Sequence, residues 1–337
     1  MPGSTHRSPN PIGSCRVRSS GFAILRSLAT GHARSSAELA VVAACDPSEI
    51  GRAVRELSAL GIVFRAAGDG FRLAVPFDAL DVDKVRDHLG PARSAIHLEL
   101  LDECDSTNAT AAARARAGAP SGTTVVCELQ RAGRGRQGAS WVSGLGTGLT
   151  FSVLWRFERA ATVLTGLPLV VGVACARALE SLGAREVALK WPNDLLLAGA
   201  KLGGVLVEAQ GDARGPLAAV IGVGINVRVP EAARRGIAQP VADLAGVPYG
   251  SRNAALARVL AALPEALTRF GHEGFAAFRE EWQWRHAFQG ARVQLLVPPQ
   301  RAIEGIASGV AEDGALLLDT GAGVQRFYAG EVSLRAA

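Results

Sequence analysis

The chain is short of lysine. Of its 36 basic residues only Lys84, Lys190 and Lys201 carry an ammonium; all others are arginine. Arginine serves wherever a generic positive charge is needed, so two lysines eleven positions apart mark places that require a compact ammonium. Paired cysteines are lacking too. Cys15, Cys45, Cys104, Cys127 and Cys175 are odd in number and scattered, with no C-x-x-C pair, and read as small hydrophobes in a reducing, cytoplasmic compartment. No apolar run reaches membrane-spanning length and no apolar h-region follows Arg18. Neither a membrane span nor a signal peptide is expected, and residues 1–20 read as a disordered tail. No Walker motif is present. What is there, 337 residues with 48% hydrophobic and 20% charged content, is a globular chain of two or three domains with a real core. Its net charge of +5 is too mild to argue for nucleic-acid binding on its own.

Residues 21–75 read as three helices and a hairpin. Phe22, Ile24, Leu25 and Leu28 mark the first helix. Ser35-Ser-Ala-Glu38 is a capping box for the second, and Asp46-Pro-Ser-Glu49 opens the third, which buries Ile50, Val54 and Leu57 at i, i+4 and i+7. Ala67-Gly-Asp-Gly70 is the hairpin turn. This is the winged helix-turn-helix pattern, whose third helix would present Ser48, Arg52 and Arg55 to DNA, with Glu49 and Glu56 opposing. The same pattern also suits a dimerisation or regulatory module. Residues 76–95 read as a linker with a short helix.

From residue 96 the texture is mixed. A strand over 96–101 leads to Asp105-Ser-Thr-Asn108 and an alanine-rich helix. Ser106, Thr107 and Asn108 are either helix caps or ligand-facing groups at a helix N-terminus. A buried strand over 123–130 then delivers the chain into Gly133-Arg-Gly-Arg-Gln-Gly138. That backbone can form an anion-binding nest, with forked donors from Arg134 and Arg136; the alternative is a flexible basic surface loop. Gly144-Leu-Gly-Thr-Gly148 lacks the following helix of a dinucleotide fingerprint and reads as a turn. Lys190-Trp-Pro-Asn-Asp194 places a lysine at the end of an apolar strand, where burying an ammonium requires an anion. Asp194 either shapes the turn or stands near a metal-bound phosphate. A hairpin turning at Ala198-Gly199 follows, then a buried strand carrying Asn226, then helices over 252–288. Five short strands after Gly290 suggest an SH3-like barrel or an extension of the main sheet.

Asp105-Ser-Thr-Asn108, Gln130 to Gly138, Lys190 to Asp194, Lys201-Leu-Gly-Gly204, Gly222-Val-Gly-Ile-Asn226 and Gly330-Glu-Val-Ser-Leu-Arg335 occur in that order, and together they resemble the biotin protein ligases. With the N-terminal unit the resemblance is to the bifunctional class, biotin–[acetyl-CoA-carboxylase] ligase and biotin operon repressor. It implies an α+β chain with a winged helix-turn-helix and linker over 21–90, and a catalytic mixed sheet flanked by helices over 91–288, related to class II synthetases and lipoate ligases. An SH3-like domain over 289–337 completes it. It also implies a two-step reaction: biotin and ATP, with Mg²⁺, give biotinyl-5′-adenylate, and a lysine of the biotin carboxyl carrier protein takes the biotin.

The residues implied are Lys190, Arg134 and Arg136 for catalysis. Ser106, Thr107, Asn108, Gln130, Gly133, Gly135, Trp141, Gly204 and Asn226 join them for ligand binding, with Asp194 near the metal. The glycine-arginine loop is implied to be a lid, loose until ligand orders it. Ala139 departs from the basic residue that many relatives carry. Operator DNA and a second copy of the chain are the further partners implied. A lipoate-protein ligase shares this chemistry, but the Gly-Arg-Gly-Arg-x-Gly and Lys-Trp-Pro-Asn-Asp motifs favour biotin. A ligand-sensing repressor without ligase activity would have no use for Lys190 and the arginine pair.

Overall fold

Two capping boxes set the first unit. The computed structural model describes residues 19–158, 165–210, 217–237, 239–297, 301–329 and 333–336. Helix α1 (Ser19–Ser27) takes in the last two residues of the expected tail; the rest of that tail, with Cys15, lies outside the described residues, as do residues 330–332 of the last motif. Strand β1 (Arg34–Ser35) precedes α2 (Ser36–Ala43), whose box pairs the Ser35 hydroxyl with the Glu38 amide and the Glu38 carboxylate with the Ser35 amide. Asp46 and Glu49 do the same for α3 (Pro47–Ala59). Strands β2 (Phe64–Ala67) and β3 (Gly70–Leu73) form the hairpin, and β1 adds to it in the order β1-β3-β2. At two residues, β1 is too short to leave an alternation in the sequence. Phe22, Ile24, Leu25, Leu28, Leu39, Ile50 and Leu57 form the core of this unit.

The segment 76–95 is not a free linker. Helix α4 (Val82–His88), capped by Asp81, contributes Val85 to the main core together with Leu80 and Leu89. Its approach is fixed by a buried ion pair. Arg252 and Glu128, each 2% exposed, meet at 2.9 Å. Arg252 also donates to the carbonyls of Asp78 and Gly148, while the Leu80 amide donates to Glu128. Two charges buried this deeply persist when further hydrogen bonds support them, and here backbone groups of two separate segments, 78–80 and Gly148, supply them. The pattern that signals a linker is local, whereas these partners lie far along the chain.

The main sheet has seven strands in the order β4-β5-β6-β10-β9-β8-β7. These are β4 (His97–Cys104), β5 (Thr123–Gln130), β6 (Gly148–Phe157), β7 (Ala188–Lys190), β8 (Asp194–Leu197), β9 (Ala200–Gln210) and β10 (Leu217–Asn226). Only β4 and β5 run parallel, joined through α5 (Thr107–Arg116); every other neighbour is antiparallel, so the sheet is mixed. Ala111, Ala112 and Ala115 of α5 cover one face against Val125, Leu154 and Val220. Helices α6 (Leu167–Ser181) and α8 (Arg252–Glu273) cover the other. After α7 (Glu231–Arg234) and α9 (Arg279–Trp284) come β11 (Arg292–Val297), β12 (Arg301–Val310), β13 (Leu316–Asp319), β14 (Val324–Phe327) and β15 (Ser333–Ala336). They form their own sheet, in the order β14-β13-β12-β11-β15, so they do not extend the main one. Their inward residues Val293, Leu295, Val310, Leu316 and Leu334 nonetheless join the main core.

Candidate active site

The site forms where the N-terminus of α5 meets the sheet. Ser106 starts the helix but its side chain makes no capping bond, which removes the purely structural reading of that residue. Gln130, at the end of β5, accepts from the Thr107 amide at 2.7 Å and its hydroxyl at 3.1 Å. Its side-chain oxygen is thereby occupied, and its amide hydrogens are left for another acceptor. Ser152 Oγ on β6 lies 2.6 Å from Asn108 Oδ1 and 2.8 Å from Thr107 Oγ1. Asn108 Nδ2 donates to Glu208 on β9 at 2.7 Å. Ser106, Thr107, Asn108, Gln130 and Ser152 are all buried. They form a rigid, neutral, hydrogen-bonding pocket.

The glycine pair of β10 makes room for it. Gly222 and Gly224 share a face with Val220, toward α5. A Cβ on Gly222 would lie 2.1 Å from Asn108 Oδ1, and one on Gly224 would lie 2.4 Å from the Trp141 indole. Trp141 thus packs directly on bare backbone, and its buried Nε1–H has no hydrogen-bond partner among the described residues.

The glycine-arginine stretch folds back on itself as a hairpin, with Arg134 bridged to Ser140. The Trp141 amide donates to Gly133 at 2.9 Å and the Gly135 amide to Ala139 at 2.7 Å, while Gln137 and Gly138 turn the chain with φ of 55° and 72°. Gly133 is required for close approach, since its Cβ would sit 2.3 Å from the Trp141 carbonyl. Ala139 serves the hairpin through its backbone, its carbonyl accepting from Gly135 and its amide donating to the Arg136 carbonyl at 3.0 Å. The two arginines diverge. Arg134 reaches Glu208 at 2.9 Å. Arg136 reaches Asn193 at 3.5 Å and donates to the Ala329 carbonyl beyond β14. Burial lowers the Arg136 pKa, with Asp194 opposing that shift.

A cationic end completes the site. Lys190 and Asp194 are cross-strand partners on either side of the tight turn containing the cis Trp191–Pro192 peptide. Asp194 meets Lys190 at 3.3 Å and Lys201 at 2.7 Å. Gly204 lies beside this cluster, its Cβ position 3.5 Å from Asp194 Oδ1. Among the described residues, the two ammoniums share one carboxylate, which leaves a positive charge suited to an anion. Asp194 is therefore a counter-ion for two ammoniums, and the metal-ligand assignment finds no support. Among the described residues no group of three His, Cys, Asp or Glu side chains could hold a metal ion. Asn226 donates through Nδ2 to the carbonyls of Lys201 and Ala242 and so supports the strand that carries Lys201. Sequence reasoning missed Ser152, Asn193, Lys201 and Glu208 as members of the site. Lys201 carried a signal as the second of the two unexpected lysines, and Asn193 as a member of the Lys190-Trp-Pro-Asn-Asp194 motif; Ser152 and Glu208 carried none.

The arrangement is a two-ended cleft. Its neutral pocket lies at the level of Gly222 and its partner Leu206, and its cationic end at the level of Gly224 and its partner Gly204. These pairs are two residues apart on β9 and β10, about 7 Å along a strand. Such a cleft fits a ligand with an uncharged polar head at one end and an anion at the other.

Comparison with known proteins agrees with that geometry. The model of the biotin/lipoate A/B protein ligase family matches residues 101–226, and that of the biotin protein ligase C-terminal domain matches residues 289–335. The bifunctional ligase/repressor BirA of Escherichia coli is 34% identical over 313 residues, covering 92% of this chain and 95% of that protein. The biotin–[acetyl-CoA-carboxylase] ligase of Mycobacterium tuberculosis is 33% identical over 260 residues, covering 75% of this chain and 95% of that one. The structure of biotin protein ligase from Aquifex aeolicus in complex with biotin and ATP superposes with a TM-score of 0.60 at 30% identity, covering 72% of this chain and 99% of that one. The chain belongs to the biotin/lipoate A/B protein ligase family. It has a biotin protein ligase-like fold, with a mixed central sheet, flanking helices and C-terminal strands.

Proposed function

We propose that this chain is an ATP-dependent, AMP-forming biotin protein ligase that modifies a lysine of the biotin carboxyl carrier protein of acetyl-CoA carboxylase. The observation that carries the reading is the two-ended cleft. The ureido head of biotin, with one carbonyl and two N–H groups, suits Gln130 Nε2, Ser106 and Thr107. Its carboxylate lies toward Lys190, Lys201 and the arginines. There a carboxylate oxygen attacks the α-phosphorus of ATP, the bond to the bridging oxygen breaks, and pyrophosphate leaves. The fixed cations stabilise charge that builds on the phosphate without having to reorganise. The carrier lysine, as the free amine, then attacks the acyl carbon of the adenylate, forming the amide and releasing AMP. Mg²⁺ would enter with the ATP phosphates, since among the described residues no group of three His, Cys, Asp or Glu side chains forms a cage for it. The hairpin, closed by Trp141, would keep water from the anhydride.

The N-terminal unit is read as a winged helix-turn-helix that binds operator DNA, as a dimer spanning two half-sites. Arg52, expected to reach DNA, is paired with Glu49 and Glu56 on its own helix. Arg55 of α3 and the cross-strand pair Arg65 and Arg72 of the hairpin have no acidic partner among the described residues and are exposed. Two like charges directly opposite each other destabilise a hairpin unless an anion lies over them, which favours a phosphate backbone. The C-terminal strands are read as an SH3-like barrel. The deciding experiment incubates the purified chain with ATP, a carrier domain and either biotin or lipoate. Labelling by biotin alone is expected; labelling by lipoate, or by neither, rejects the reading.

A further inference from the structure

We infer that Glu208 is a latch that couples the floor of the biotin pocket to the glycine-arginine hairpin, a positioning residue for Arg134. The inference rests on the ligase reading and deepens it. One carboxylate oxygen of Glu208 accepts from Asn108 Nδ2 at 2.7 Å and from Arg134 at 2.9 Å. Asn108 belongs to α5, Arg134 to the hairpin and Glu208 to β9, so a single oxygen ties three elements. Asn108 has no freedom to leave. Its Oδ1 is met by Ser152 at 2.6 Å, Nδ2 has a second acceptor in the Leu206 carbonyl at 3.4 Å, and bare Gly222 lies against its amide. Glu208 is thus aimed by a saturated, buried amide, and it in turn aims a guanidinium that is otherwise about half exposed.

This geometry divides the work of the two arginines. Arg136 is anchored at the far end of the hairpin, by Asn193 and the Ala329 carbonyl. Arg134 is held at the pocket end by Glu208 alone among the described residues. A correctly seated ureido head fixes Gln130 and, through it, Thr107, which shares Ser152 with Asn108, so seating tightens the same network that holds Arg134. Occupancy of the neutral pocket is thereby transmitted to closure over the adenylate. Ordering of the hairpin would then respond to the head of the ligand and not only to its phosphate.

The test uses the full chain loaded with biotin and ATP. It measures single-turnover adenylate formation and the rate at which preformed adenylate escapes, for wild type, Glu208→Gln, Arg134→Gln and the double variant. Hydrogen bonds to a charged group of this kind, discounted for partial exposure, predict adenylate escape about 5- to 10-fold faster in Glu208→Gln. The double variant should resemble Arg134→Gln, because the latch acts only through that residue. Glu208→Asp, which keeps the charge but shortens the reach, should fall between wild type and Glu208→Gln, and it carries the test if Glu208→Gln does not fold. Escape unchanged in these variants, or effects of the two single changes that simply add, overturns the latch while leaving the ligase reading intact. Absence of adenylate in the wild type overturns both.

Discussion

Replacing Gly222 by alanine tests the pocket with a single methyl group. The added Cβ would sit 2.1 Å from Asn108 Oδ1, against ordinary contact beginning at 3.4 Å, so the amide must retreat by about 1.3 Å. It cannot do so and keep both Ser152 at 2.6 Å and Glu208 at 2.7 Å. Losing or stretching two buried hydrogen bonds costs about 2–4 kcal/mol, shared between the fold and the pocket. If about 2 kcal/mol falls on the pocket, the Kd for biotin rises about 30-fold. Titration calorimetry with biotin measures this directly, alongside the melting temperature. Gly246→Ala is the control, since a Cβ there meets nothing within 4 Å. Biotin affinity within about twofold of wild type, with unchanged melting, would falsify the placement of Asn108 at the pocket floor.

Lys190→Ala and Lys201→Ala should each slow adenylate formation by about 10²-fold in single turnover, as expected on losing one preorganised cation; a normal rate removes that lysine from the mechanism. Deleting residues 1–76 should leave biotin transfer largely intact. Deleting residues 1–90 also strips Leu80, Val85 and Leu89 from the core and takes the Leu80 amide from Glu128 and the Asp78 carbonyl from Arg252, so it should lose folding; equal melting of the two truncations refutes this division. Arg55→Ala, Arg65→Ala and Arg72→Ala should each weaken operator binding and reduce its salt slope by about one, with Arg52→Ala smaller, read by gel shift across ionic strengths. Burial against Trp282 depresses His286 from 6.5 to about 4. As pH falls through that window the unfolded chain takes the proton first, so stability present above about 6.5 declines, by at most about 3 kcal/mol near pH 4. Denaturant titrations of wild type and His286→Gln check this, and an equal acid dependence of the two rejects it.

Local signals determined much of this protein without help from the fold. Capping at Ser35 and Asp46 is a contest within four residues, so Ser-Ala-Glu and Pro-Ser-Glu spacing suffices to start α2 and α3. The turn at Ala198-Gly199 and the strand ending at Gln130 are equally local. The scarcity of lysine pointed to the segment around Lys190 and Lys201 because side-chain chemistry is written residue by residue. Tertiary structure decided what those residues face. Asp194 is adjacent in sequence to a turn, but its carboxylate meets two ammoniums, one of them across the next hairpin. Segment 76–89 becomes core only because Arg252, more than 160 residues later, meets Glu128 beneath it. Glu208 and Ser152 carry no motif at all. Their roles arise from register between strands and from two glycines that leave space, and such relations exist only once the sheet has closed.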